Sequence, residues 1–284
     1  MKTPKVLFIP KGSINKIITQ LQGQHYDVSS MDVFFLRMIG QPQTGWIDVG
    51  ANSVTKVDFL YKLTHGKAAL QNITLIPGET TAIFLEQVAK KLYLDIDKLQ
   101  VAYNSYFHIQ EGGIVPNTYN LPIGITEEHL MKILYNQSFR QILEVSHKLF
   151  GKYQENKWFR YVAIASVIQK EAANEEEMPI ISSVIYNRLK KGMYLQMDGT
   201  LNYGKYSHVR VTAQRIKEDT SLYNTYKHKG VPPIPVCNVS FAAITAAVFP
   251  EKTDYLYFMK SKSGTHDFTC NYSTHLTNIK RATK

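Results

Sequence analysis

The sequence predicts an α+β protein in which a small strand-helix-helix-strand module precedes a larger mixed α/β domain. Three observations carry this. In the first hundred residues an apolar, strand-like run meets a turn and then a helical pattern three times, in VLFIPKGSINKIITQL, GWIDVGANSVTKVDFLYKL and NITLIPGETTAIFLEQVAKKL. Between residues 161 and 204 two amphipathic helical patterns give way to a run of period two. A length of 284 residues with 44% hydrophobic content can bury a core large enough for one sizeable domain or two modest ones.

The turns explain the repeated units. Gly12, Gly50 and Gly78 permit tight reversals, while Ser13, Asn52 or Ser53, and Thr80 or Thr81 offer side-chain oxygens to a helix start. The first unit continues with a helical run over residues 31–39 and a closing strand near 46–49. Helices are expected over 80–92 and 96–106, and two more near 127–136 and 139–149. Between them, Gly112-Gly113 and Pro116 make 111–119 a loop, expected to border a cleft.

The central stretch predicts a helix over 161–173 with Tyr161, Ile164, Ala165, Ile168 and Ala172 on one stripe. After the breaker Met178-Pro179, a second helix is expected over 180–191, stopped by Gly192. Residues 193–198 then read as a strand, with Met193, Leu195 and Met197 on one side and Tyr194, Gln196 and Asp198 on the other. Residues 205–240 read as a long ordered loop, 241–249 as a buried helix, 255–259 as a strand and 260–265 as a turn.

The formal charge of +10 favours a polyanionic partner or surface. The basic residues are spread along the chain without a basic arm or an RNA-binding aromatic motif, so no nucleic acid partner is expected. No run approaches the roughly 18 apolar residues of a membrane-spanning helix, and no signal peptide is evident. Two cysteines, Cys237 and Cys270, leave room for one disulfide and exclude a cysteine framework. Nine histidines lack metal-ligand spacing, so no metal is expected.

Glu171 is the residue this stretch singles out. On a helix it lies seven residues after Ile164, four after Val167 and three after Ile168, so its carboxyl stands over apolar neighbours. Such surroundings disfavour the charged form and raise the pKa, as a general acid requires. From the helix alone Glu171 reads more readily as a solvated residue like Glu175, Glu176 and Glu177.

SVIQKEA, then Asn187-Arg188-Leu189, then GMYLQMDGTLNYG, resemble the signature of the endolytic murein transglycosylases, the MltG or YceG-like family. Further pieces follow in that family's order: Tyr223-Asn224-Thr225-Tyr226, GVPPIP from Gly230, DYLYF from Asp254 and His266-Asp267-Phe268, with EGGIVPNTY from Glu111 upstream. The resemblance implies a lyase that cuts glycan strands of peptidoglycan between N-acetylmuramic acid and N-acetylglucosamine, leaving 1,6-anhydro ends and limiting strand length. It places the catalytic glutamate on Glu171 and needs no cofactor. It implies sugar contacts from Asn187, Gln196, Asp198, Thr200, Tyr203, Tyr223, Asn224, Thr225, Tyr226, Glu111 and His266. It also implies penicillin-binding proteins and other elongation or division machinery as partners. The expected location is the bacterial plasma membrane, with the catalytic domain on the extracytoplasmic side and an N-terminal anchor, absent from this chain, removed from it.

The βααβ order of residues 1–52 resembles a LysM-like module, either binding glycan or bracing the rest, with 53–284 as the catalytic domain, including a linking α/β segment over 53–100. The chain departs from the family pattern at several points. Asn117 stands where Asp is usual, Val239-Ser240 follow Asn238, Thr274 and Leu276 flank His275, and Gln169 occupies one place of a glutamate pair.

Overall fold

The computed structural model describes residues 1–283. They form two compact units, one of residues 1–73, 90–94 and 119–126, the other of 74–89, 95–118 and the chain from 127 onward.

In the first unit, β1 (Val6–Ile9), α1 (Ile14–Gly23), α2 (Ser30–Ile39) and β2 (Gly45–Asp48) run in that order, followed by α3 (Lys56–His65). β1 and β2 pair antiparallel, with Leu7 opposite Ile47 and Ile9 opposite Gly45. Leu7, Ile9, Ile17, Ile18, Leu21, Leu36 and Leu63 close a separate core. Ser13 caps α1 as expected, accepting from Lys16 N, whereas α3 is capped by Thr55, which accepts from Asp58 N, and not by Asn52 or Ser53, which lie before the helix start. In α2, Asp32 reaches back to Ser29 N at 2.6 Å.

β3 (Leu70–Leu75) leads to α4 (Thr81–Leu92) and α5 (Ile96–Tyr106), and β4 (Asn117–Pro122) pairs with β3. α6 (Glu127–Phe150) is one helix of 24 residues, not two. Gln137 and Ser138 carry no breaker, and the buried Ser138 hydroxyl accepts from Val115 N at 3.1 Å, so its polarity does not interrupt the helix. α7 (Glu155–Glu171) and α8 (Met178–Lys190) follow. Pro179 starts α8 instead of breaking it, because a first-turn residue needs no N–H.

Residues 193–198 do not form a strand. Leu195 and Met197 are buried and Gln196 and Asp198 exposed, as the alternation demands, yet no strand lies alongside. Thr225 takes the backbone bonds instead, accepting from Gln196 N at 3.1 Å, and the segment ends in a 3-10 turn, Asp198–Leu201. A second such turn (Gly204–Tyr206) and α9 (Ala213–Glu218) interrupt the expected loop.

α10 (Phe241–Val248) packs on α7 and α8 in the main core with Val162, Ala165, Val167, Ile168, Ile181 and Val184. β5 (Tyr257–Lys260), β6 (His266–Thr269) and α11 (Tyr272–Thr283) complete the chain. β5 and β6 pair antiparallel, Lys260 opposite His266. Cys237 is buried, Cys270 is exposed, and both are free, so the disulfide is not formed. No helix among the described residues is long and apolar enough to cross a membrane.

Candidate active site

α7 owes its position to a run from Val162 to Ile168 that is buried throughout. The helix ends on Glu171, and Ala172 turns into extended backbone. A carboxylate at a helix C-terminus meets the negative end of the helix dipole, which adds to the cost of ionising it. Burial raises its pKa to about 7, and the charge of Asp198 pushes the same way against a hydrogen bond from Gly199 N. That bond, to Glu171 Oε1 at 2.8 Å, requires a glycine. A β-carbon at residue 199 would stand 2.8 Å from Oε1 and 2.6 Å from Lys170 Cβ.

Asp198, one residue before, accepts the Tyr226 hydroxyl at 2.7 Å. Burial and then the bonded Asp198 raise the phenol's pKa strongly, so Tyr226 stays a donor. Thr200 and Thr225 are buried beneath. Thr200 Oγ1 donates to Met197 O at 2.7 Å, and Thr225 Oγ1 accepts from Met197 N at 3.1 Å. Gln196 holds a left-handed backbone, φ 52°, a costly conformation for a non-glycine residue.

Glu171 opens on a cavity of about 470 Å³, within the range of small-ligand clefts, roughly 300–1,000 Å³. Of the residues marked by the sequence, Gln196, Asp198, Tyr226 and His266 share that cavity with it. The remainder do not line it. Asn187 is spent on Thr253 O and Tyr255 O at 2.8 and 3.0 Å. Asn224 donates to Ile216 O and Asp219 O at 2.8 and 2.7 Å and shapes the loop that carries Tyr226. Tyr203 stacks on Tyr223 at 4.2 Å and bonds Asp219 at 3.0 Å.

Glu111 is buried in backbone capping and does not line the cavity. Its carboxyl accepts from Thr81 N, Thr81 Oγ1 and Gly112 N at 2.9, 2.6 and 3.1 Å, serving the start of α4. Burial raises it too to about 7, against those same bonds.

Sequence reasoning put Arg188 on a helix that could wall a cleft and Tyr257 within DYLYF, but missed Lys260, Tyr272 and His275, which complete that wall. Arg188 donates to Leu256 O at 2.6 Å and to Leu195 O at 2.7 Å, so a buried side chain ties α8 to the approach to β5. His275 stacks on Tyr257 at 5.2 Å, and burial and then the Arg188 charge lower its pKa. Of the lining residues, His266 is held by Glu177, which accepts from His266 N and Nδ1, each at 2.7 Å. Burial would raise the Glu177 pKa, but bonds from His266 and Ala173 outweigh it and hold it below the usual range.

A carboxyl kept protonated near neutrality at the rim of a polar cavity is the arrangement of a general-acid site. The chain belongs to the YceG-like family, whose pattern matches residues 7–281. It is 33% identical over 206 residues to a Bacillus subtilis protein named endolytic murein transglycosylase, covering 72% of this chain and 56% of that one. A Streptococcus pneumoniae protein of the same name is 29% identical over 181 residues, or 62% of this chain and 32% of that one. The chain thus spans between about a third and about a half of the length of these curated relatives. A crystal structure of a yceG-like protein from Listeria monocytogenes matches 98% of this chain and 99% of its own, at a TM-score of 0.65 and 25% identity.

Proposed function

We propose that the chain is a peptidoglycan lytic transglycosylase that cleaves glycan strands internally between N-acetylmuramic acid and N-acetylglucosamine, with Glu171 as its single acid and base. The observation that carries this reading is the state of Glu171: raised to about 7, anchored by one backbone N–H, and open to a cavity. The protonated carboxyl gives its proton to the departing glycosidic oxygen. The resulting carboxylate then takes the proton of the muramyl C6 hydroxyl, which attacks C1 and closes the 1,6-anhydro ring. Atoms balance without water, so no second carboxylate is required to activate one, unlike hydrolytic glycosidases. The Gly199 N–H holds the carboxyl in place through both steps.

Gln196, Asp198, Tyr226 and His266 contact sugar hydroxyls and acetamido groups on this reading, while Thr200, Thr225, Asn224, Asn187, Tyr203 and Tyr223 shape the cleft behind them. Family membership supports the further assignments. These are residues 1–52 as a LysM-like module, attachment to the plasma membrane with the acid on its outer side, and work beside penicillin-binding proteins to limit strand length. The test is mass spectrometry of uncrosslinked strands after incubation with the protein and with Glu171→Gln. Anhydro ends from the parent alone are expected; equal yields from both would remove Glu171 from the chemistry.

A further inference from the structure

The cavity has an electrostatic feature that acid chemistry at Glu171 does not use. Besides Glu171 and Asp198 it is lined by Arg188, Lys260 and His266. Arg188 is 7% exposed, yet its hydrogen bonds all go to uncharged oxygens: Leu256 O, Tyr194 O, Leu195 O and Gln196 Oε1. Its guanidinium also lies 5.2 Å from the Tyr257 ring centre. Among the described residues it forms no ion pair. A charge this buried is costly unless a counter-charge reaches it, and here the open side is the cavity. The bonds use Nε and Nη1 and leave Nη2, and a guanidinium suits a carboxylate.

Lys260 adds a second cation without an ion pair among the described residues. It sits opposite His266 in the β5–β6 register. Glu177 engages both His266 N and Nδ1, which fixes the ring, and Phe258 meets the ring edge-on at 5.3 Å. With Nδ1–H given to Glu177, the neutral ring offers Nε2 as an acceptor, so His266 borders the two cations and does not itself donate to an anion.

Building on the proposed function, we infer that Arg188 and Lys260 form an anion subsite for a carboxylate borne on the lactyl arm of the muramyl residue. That carboxylate is either the free lactyl group or one belonging to a peptide attached there. The subsite therefore selects muramyl-containing strands by charge, and Lys260 and Arg188 determine specificity.

The test compares three preparations of one glycan: peptide-bearing, stripped to the free lactyl carboxylate, and stripped with that carboxylate capped as a methylamide. The parent is expected to cleave a carboxylate-bearing strand about tenfold or more better in kcat/KM than the capped one, and Lys260→Met to narrow that ratio. Preference for the stripped acid over the peptide-bearing strand assigns the lactyl group, and the reverse assigns the peptide. Equal rates on all three, or a ratio that Lys260→Met leaves unchanged, overturns the subsite while leaving the lyase intact. If the parent cleaves none of them, the lyase reading fails, and calorimetric titration of Glu171→Gln with a muramyl tetrasaccharide, free and capped, decides the subsite. Tighter binding of the free acid is expected there; equal or undetectable binding overturns it.

Discussion

Glu171 and Glu111 are both buried carboxyls with pKa values raised to about 7, yet they do opposite work. Glu111 has its oxygens committed to three donors around the start of α4 and lines no part of the cavity. Glu171 has a single bonded donor, Gly199 N, and faces space for a ligand. The contrast teaches that a raised pKa marks desolvation, whereas unspent oxygens beside a cavity mark chemistry.

The largest effect that would break this contrast is a pair of substitutions. Glu171→Gln is expected to lower the cleavage rate about a hundredfold to ten-thousandfold, as loss of a general acid does. Glu111→Gln should leave cleavage by the folded fraction within a few-fold. At about pH 5, below its raised pKa, the change should lower unfolding stability by about 1–3 kcal/mol, since an amide nitrogen replaces an acceptor oxygen that faces bound donors. Urea titration and single-turnover assays on both variants measure this.

The contrast predicts a pH signature next. A carboxyl whose pKa folding raises from 4.5 to about 7 holds its proton better in the native state. Its ionisation therefore weakens the fold: the penalty is absent below the unfolded value, grows as pH rises through the window, and is complete above about 7. Glu171→Gln removes that penalty, so the variant should be more stable than the parent at pH 8 by on the order of 1–2 kcal/mol, allowing for cavity water, and should match it at pH 4. Cleavage by the parent should decline as pH climbs past about 7, as the acid is lost.

How much of this was legible in the sequence depended on range. α7, α8 and the position of Glu171 at the edge of the apolar stripe follow from local periodicity, and the alternation in residues 193–198 correctly sorts buried from exposed side chains. It could not reveal that Thr225 and Arg188 would replace a neighbouring strand. The commitment of Glu111 was hidden because Thr81 lies 30 residues away. β6 escaped notice as four residues of mixed polarity, and with it α11 and the cationic wall.

Smaller effects sharpen the comparison. Gly199→Ala should cut turnover by the folded fraction about tenfold or more and lower stability, because the β-carbon crowds Lys170 Cβ and displaces the acid, a misplacement of the kind that costs heavily. Tyr226→Phe, which removes only the donor to Asp198, should cost about threefold to tenfold in kcat/KM, the worth of one hydrogen bond.

The central claim is that one carboxyl acts twice and the sugar's own hydroxyl is the nucleophile. Running the parent on glycan strands in water enriched in oxygen-18 tests it most directly, with the new ends read by mass spectrometry. Anhydro-muramyl ends carrying no heavy oxygen are predicted. Reducing ends labelled at C1 would contradict the account and assign the attack to water, which would demand a second carboxylate, with Asp198 the nearest candidate.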